Sequence, residues 1–154
     1  VSWPGLTRPS TIVHGPMMAS EAVIRSAQPD LGRLIGFPLT DIKVATFYVD
    51  FVFIESLTFT LRVKKAFRFT LPGREPSIFD PAVKTHNTAF ESANFIFLQG
   101  LRCHRAVLTQ RLFEIEFTDN AGIQIELGNR DFEPLELIGA EGERHEKLAF
   151  YHVL

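Results

Sequence analysis

Four of the five histidines and the single cysteine are the side chains here that could serve nucleophilic, proton-transfer or metal chemistry, and their neighbours limit what each can do. Cys103 precedes His104, the two types that together make an activated thiolate. Adjacent strand residues point to opposite faces, so this pair cannot share a proton, and Cys103 is expected to be a buried, inert thiol. His86, in Lys84-Thr85-His86-Asn87-Thr88, stands beside a predicted helix N-terminus, where backbone N–H groups attract anions. His86 and Asn87 are therefore candidate binding residues, and His104 and Arg105 form a second candidate pair. His145 sits among Glu143, Arg144, Glu146 and Lys147 and reads as solvated. His152, alternating with Phe150 and Leu148, reads as a core histidine. A metal site joining His86, His104 and His152 has no ligand-spacing signature, so no metal or cofactor is expected. Gly-x-Ser-x-Gly, the phosphate-binding Gly-rich loop, the dinucleotide fingerprint and His-Glu-x-x-His are all absent, and no residue is assigned a catalytic role.

The elements that would position these residues follow from periodicity. Thr88-Ala89-Phe90-Glu91 has capping-box form, and Phe90, Ala93, Phe97 and Leu98 recur at helical spacing before Gly100, which predicts a helix over 88–99. The period then changes to two. Phe113, Ile115 and Phe117 alternate with glutamates, Asp119-Asn120-Ala121-Gly122 turns the chain, and Ile123, Ile125 and Leu127 return. Residues 19–28 and 31–35 predict only short helical turns, interrupted at Pro29.

The pattern occurs twice. Leu34-x-Gly36-x-x-Leu39 matches Leu98-x-Gly100-x-x-Cys103, 64 positions on, and Val49, Phe51 and Phe53 match Phe113, Ile115 and Phe117 at the same spacing. Leu57, Phe59 and Leu61 match Ile123, Ile125 and Leu127 if the second turn is two residues longer. In both copies the apolar phase slips by one residue, which predicts a bulge at Thr40-Asp41 and another at His104-Arg105. The units are placed at about 31–70 and 88–138. Between them lies a linker over 71–87 that Pro72, Gly73, Pro76 and Pro81 keep irregular. Pro134 marks the segment from Phe132 to Ile138 as an edge or irregular strand, and a strand over 148–153 closes the chain.

A hydrophobic content of 45% with 22% charged residues and a net charge of -2 excludes a disordered chain and gives no basic nucleic-acid footprint. The basic residues Arg62, Lys64, Lys65 and Arg68 read as a solvated edge. One cysteine excludes an internal disulfide and fits the reducing cytoplasm, and no apolar run approaches the roughly 20 residues of a membrane helix. Residues 1–17, with Pro4, Pro9 and Gly15 and no apolar face, read as an arm outside the fold, and Met17 or Met18 is the expected start. Residues 18–154 are then one β-rich domain.

With the repeat, Phe79-Asp80-Pro81, Leu98-x-Gly100, Glu116-Phe117-Thr118-Asp119 and Asp131-Phe132-Glu133 in order, residues 31–154 resemble a family of small bacterial duplicated β-meander proteins known as a domain of unknown function. The chain departs from that pattern at Leu135, where a Trp is expected, and at Asn120-Ala121-Gly122 in place of Asp-Gly. The resemblance implies no catalytic residues, and small β proteins of this kind resemble immunity or accessory proteins of bacterial toxin loci.

The expected fold is mainly β: two duplicated antiparallel three-stranded meanders in a curved sheet, sandwich or partly open barrel, with one short helix. The expected function is non-catalytic binding of a protein partner or a second copy, with no nucleic acid and no membrane. A small apolar-ligand carrier with a cavity lined by the 15 phenylalanines is the alternative, and an enzyme using His86 or His104 is third. Glu114 and Glu116 face away from the core of the second meander, whereas Val52 and Ile54 face away from Phe51 and Phe53 in the first, with Asp50 the only charge. That asymmetry requires cover from the 88–99 helix or from another chain, and marks Val52 and Ile54 as interface candidates.

Overall fold

The computed structural model describes residues 20–82, 93–128 and 135–154. The arm over 1–17, His86, Asn87, the Thr88 capping box and Phe132 lie outside them.

Period-two alternation produces ten strands among the described residues: β1 (Leu39–Val44), β2 (Val49–Ile54), β3 (Thr58–Val63), β4 (Phe67–Thr70), β5 (Ser77–Phe79), β6 (Cys103–Leu108), β7 (Leu112–Phe117), β8 (Gly122–Glu126), β9 (Leu135–Glu141) and β10 (Lys147–Val153). They form two antiparallel five-stranded sheets, β1-β2-β3-β9-β10 and β5-β4-β8-β7-β6. The mainly β expectation is met by two open sheets rather than a closed barrel.

The duplication is visible in the ladders. Ile42 pairs with Phe51 and Val44 with Val49 in the first unit, and Ala106 with Ile115 and Leu108 with Phe113 in the second. Each first strand shifts register where the slip in apolar phase places it, between Leu39 and Asp41 and between Cys103 and Arg105. The expected length of the second turn needs correction. Phe51 pairs with Leu61 but Ile115 with Ile123, so the third strand of the second unit returns two residues sooner, not later. An even slip leaves alternation intact, so the apolar pattern alone cannot distinguish the two registers.

Each unit then sends strands into the other sheet. After β3 the chain crosses over Lys64, Lys65 and Ala66 to β4, which pairs with β8. After β8, β9 returns to pair with β3. Three further expectations are corrected here. The proline-rich linker contains β5, a three-residue edge strand that fits between Pro76 and Pro81. β9 lies inside its sheet, between β3 and β10, because its ladder begins at Leu135, beyond Pro134. The basic stretch is likewise no solvated edge: Arg62 lies on the interior strand β3 paired with Asp50, Lys64 pairs with Glu136, and Lys65 is buried.

Among the described residues the α-helix lies near the start of the fold. α1 spans Glu21–Gly32, with Ser20 as N-cap accepting a hydrogen bond from Val23 N at 3.1 Å, and it buries Ala27 and Leu31 against β10 and β6. Pro29 lies inside it, costing one backbone hydrogen bond that the burial of Leu31 offsets. Of the segment expected to be helical, Ala93–Leu98 forms a 3-10 helix whose Phe95 is fully buried. Phe95 packs edge to face with Phe79, Phe67, Phe69 and Phe51, at centroid distances of 4.8, 5.3, 5.6 and 5.9 Å. These phenylalanines fill the space between the sheets with one another.

Candidate functional site

Residues directly opposite across a ladder share a face, so the registers of the first sheet give its outer surface row by row. One row is Ile54, Thr58, Ala140 and Leu148. The next is Asp41, Val52, Thr60, Ile138 and Tyr151, and the third is Lys43, Asp50, Arg62, Glu136 and Val153. The first two rows are predominantly apolar. Ile54 is 36% exposed, Leu148 66% and Tyr151 52%. Val52 is buried, at 6%. Val52, between Asp41 and Thr60 in its row, is closed to solvent. Ile54 is thus the open member of the expected pair.

Leu148 arrives there through an irregularity that the alternation of β10 conceals. Leu148 pairs with Ala140 but Phe150 with Gly139, so a bulge between them turns Leu148 outward while Phe150 faces the core. The expectation that Leu148, Phe150 and His152 share a face fails for Leu148 alone. His152 lies on the inner side, half-buried, with Nε2 2.7 Å from Asp30 Oδ2 of α1.

The third row is a charged border with its pairs satisfied. Arg62 meets Asp50 in a two-point contact, Nε to Oδ1 and Nη2 to Oδ2, each at 2.9 Å, and its guanidinium lies 4.3 Å from the Tyr48 ring centroid. The hydrogen bond to Asp50 raises the Arg62 pKa above its ordinary value. Burial pushes the Glu136 carboxyl up, but hydrogen bonds from Lys64 Nζ at 2.6 Å and Tyr151 Oη at 2.6 Å, with the charges of Lys64 and Arg62, outweigh it and hold Glu136 below the ordinary range. The same bond to Glu136 raises the Tyr151 hydroxyl.

The outer surface of the second sheet is polar at the matching positions. Its rows read Arg105, Glu116, Gly122, Thr70 and Val107, Glu114, Gln124, Arg68, Ile78. Arg105 Nη1 is 2.9 Å from Glu116 Oε2, and Gln124 Nε2 donates to Glu114 Oε2 at 2.6 Å. Small Gly122 and Thr70 leave an open concavity of ≈ 740 Å³, lined by His104, Glu114, Glu116, Gln124 and the turn residues Asp119 and Asn120. Asp119 and Asn120 both have left-handed φ, 64° and 60°, a conformation their short polar side chains tolerate.

Of the candidate binding residues, His104 lines this concavity and Arg105 pairs with Glu116 of its lining, while His86 and Asn87 are outside the described residues. His104 and His152 belong to different sheets. Among the described residues no group of three or more His, Cys, Asp or Glu is arranged to hold a metal ion. Cys103 is buried, its Sγ 3.7 Å from the Arg105 carbonyl oxygen, and burial pushes its thiol up to about 12, far from a reactive thiolate. Sequence reasoning missed Ile138, Leu148 and Tyr151 on the apolar face. Which strand lies next to β3 is not encoded in local pattern, and the bulge in β10 reverses Leu148. No helix among the described residues is long and apolar enough to cross a membrane. No family model, curated protein or solved structure matches the chain.

Proposed function

We propose that this protein is a non-catalytic interaction module whose working surface is the outer face of the first sheet, centred on Ile54, Ile138, Leu148 and Tyr151. One observation carries the reading: the chain contains its own control. Val52, Ile54 and Ile138 correspond through the duplicated registers to Glu116, Thr118 and Thr70, so the second sheet folds in the same topology with a polar outer face. The fold therefore does not require apolar residues there, and contiguous exposed apolar surface marks contact with another molecule. Its border of satisfied charge pairs suits a polar rim. A protein that acts by occupying a partner's surface, as an immunity-like or accessory protein of a bacterial toxin locus would, needs no more than this. The buried thiol is compatible with the reducing cytoplasm in which we place it.

The test is a photoreactive residue installed at Leu148, at Ile54 and, as the opposite-face control, at Glu116. Illumination in cells of the native host should give an adduct of one defined mass from the first two positions and none from the third. Adducts from Glu116 alone, or from no position, would remove the proposal.

A further inference from the structure

The two units meet through an exchange of backbone hydrogen bonds that has the form of a two-fold axis. Gly36 N donates to Cys103 O at 2.8 Å, and Gly100 N donates to Leu39 O at 2.7 Å. Leu39 N donates to Leu101 O at 2.8 Å, and Cys103 N to Phe37 O at 2.9 Å. Every residue in the second bond of each pair is the counterpart, 64 positions along the chain, of one in the first, with the units interchanged. Pro38 and Arg102, themselves counterparts, form the bridge at the centre. Phe53 and its counterpart Phe117 stack at 6.1 Å with 12° between their planes. If residue i of one body contacts j of the other and j contacts i, the interface is isologous, the signature of a symmetric dimer.

The strand exchange obeys the same symmetry. β4 of the first unit pairs with β8 of the second, and β9 of the second pairs with β3 of the first. Each sheet has three strands from one unit and two from the other. A unit by itself would leave the free edges of β3 and β4, or of β8 and β9, and the apolar faces of both segments without cover.

We infer that the chain is a two-fold dimer fused into one polypeptide, and that each unit is a complete binding partner for the other: residues 20–82 and 93–154 recognise one another without a covalent link. The surface is the unpaired edges of β3 and β4 with the Phe51, Phe53 and Phe67 face, and the partner that fits it is a second such unit. The link acts by raising effective concentration, which for short connections reaches roughly the millimolar range.

A site-specific protease sequence inserted into residues 83–92 of the full chain, cut to completion after folding, tests this. The two pieces should co-migrate at the size of the uncut protein with an unchanged far-ultraviolet circular dichroism spectrum. After separation in urea they should rejoin on mixing, and the urea midpoint should rise more steeply with protein concentration for the cut chain than for the uncut one. Separation of the pieces under native conditions, with one retaining its spectrum alone, would overturn the inference by making that unit autonomous. Failure of the separated pieces to rejoin would overturn it as well. Neither result bears on the outer apolar face, which the photoreactive variants examine independently.

Discussion

Glu136 concentrates at one residue the balance that buried charge requires. A carboxylate 7% exposed is costly unless its lone pairs are satisfied, and here Lys64 and Tyr151 satisfy it. Its folded pKa lies below the ordinary value of 4.5. The sign of the linkage follows: the folded state binds the proton less readily, so the contribution is fully present above that ordinary value and is lost as pH falls through the lower folded one. Glu136→Gln should cost on the order of 1–3 kcal/mol at pH 7, the range for a hydrogen bond to a charged group. It should also flatten the loss of stability on acidification below about pH 4.5. Urea titrations of both proteins at several pH values measure this, and parallel acid limbs would show that other carboxylates carry the dependence. This network was partly legible in sequence. Lys64 and Arg62 stood out as a basic stretch, but their partner strand β9 was invisible, because cross-sheet neighbours 70 and more residues apart leave no local trace.

At the scale of single elements, β10 shows how one bulge redistributes function and stability. Phe150 lies across from Gly139, and a Cβ built on Gly139 would stand 2.1 Å from the Phe150 ring. The ring packs over a strand glycine, which is why alternation breaks at Leu148 and sends it to the outer face. Gly139→Ala should therefore destabilise by roughly 1–3 kcal/mol through overpacking. Thermal unfolding of Gly139→Ala, Phe150→Ala and the double variant should give costs well short of additive, whereas strict additivity would separate the glycine from the ring. The bulges in β1 and β6 were readable because each shifts charged residues against an apolar phase. The β10 bulge moves a leucine and leaves a pattern that looks regular. α1 was under-read for a related reason: Pro29 looks like a stop, yet the packing of Leu31 carries the helix through it. The turn after β7 misled in the other direction, since two registers that differ by an even slip bury the same residues.

For the whole molecule, the duplicated fold presents two outer faces of the same architecture and different chemistry, so association should proceed from one of them only. If the occupant of the apolar face is a second copy, the intact protein sediments as a dimer at micromolar concentration. Ile54→Lys with Leu148→Glu, both at exposed positions, should then give a folded monomer with an unchanged circular dichroism spectrum. A wild-type monomer under those conditions assigns the face to a different protein. The reciprocal strand exchange has a further consequence for how the molecule comes into being. β3 finds its neighbour β9 with 71 residues between Val63 and Leu135, so an expensive loop must close before either sheet is complete. Topologies dominated by such distant pairings fold slowly. On a ribosome adding roughly 5–20 residues per second, the first unit must wait several seconds with Phe51, Phe53 and Phe67 uncovered before β8 and β9 emerge. Synthesis, not only folding, is an interval in which the uncovered apolar face and unpaired strand edges expose this chain to aggregation.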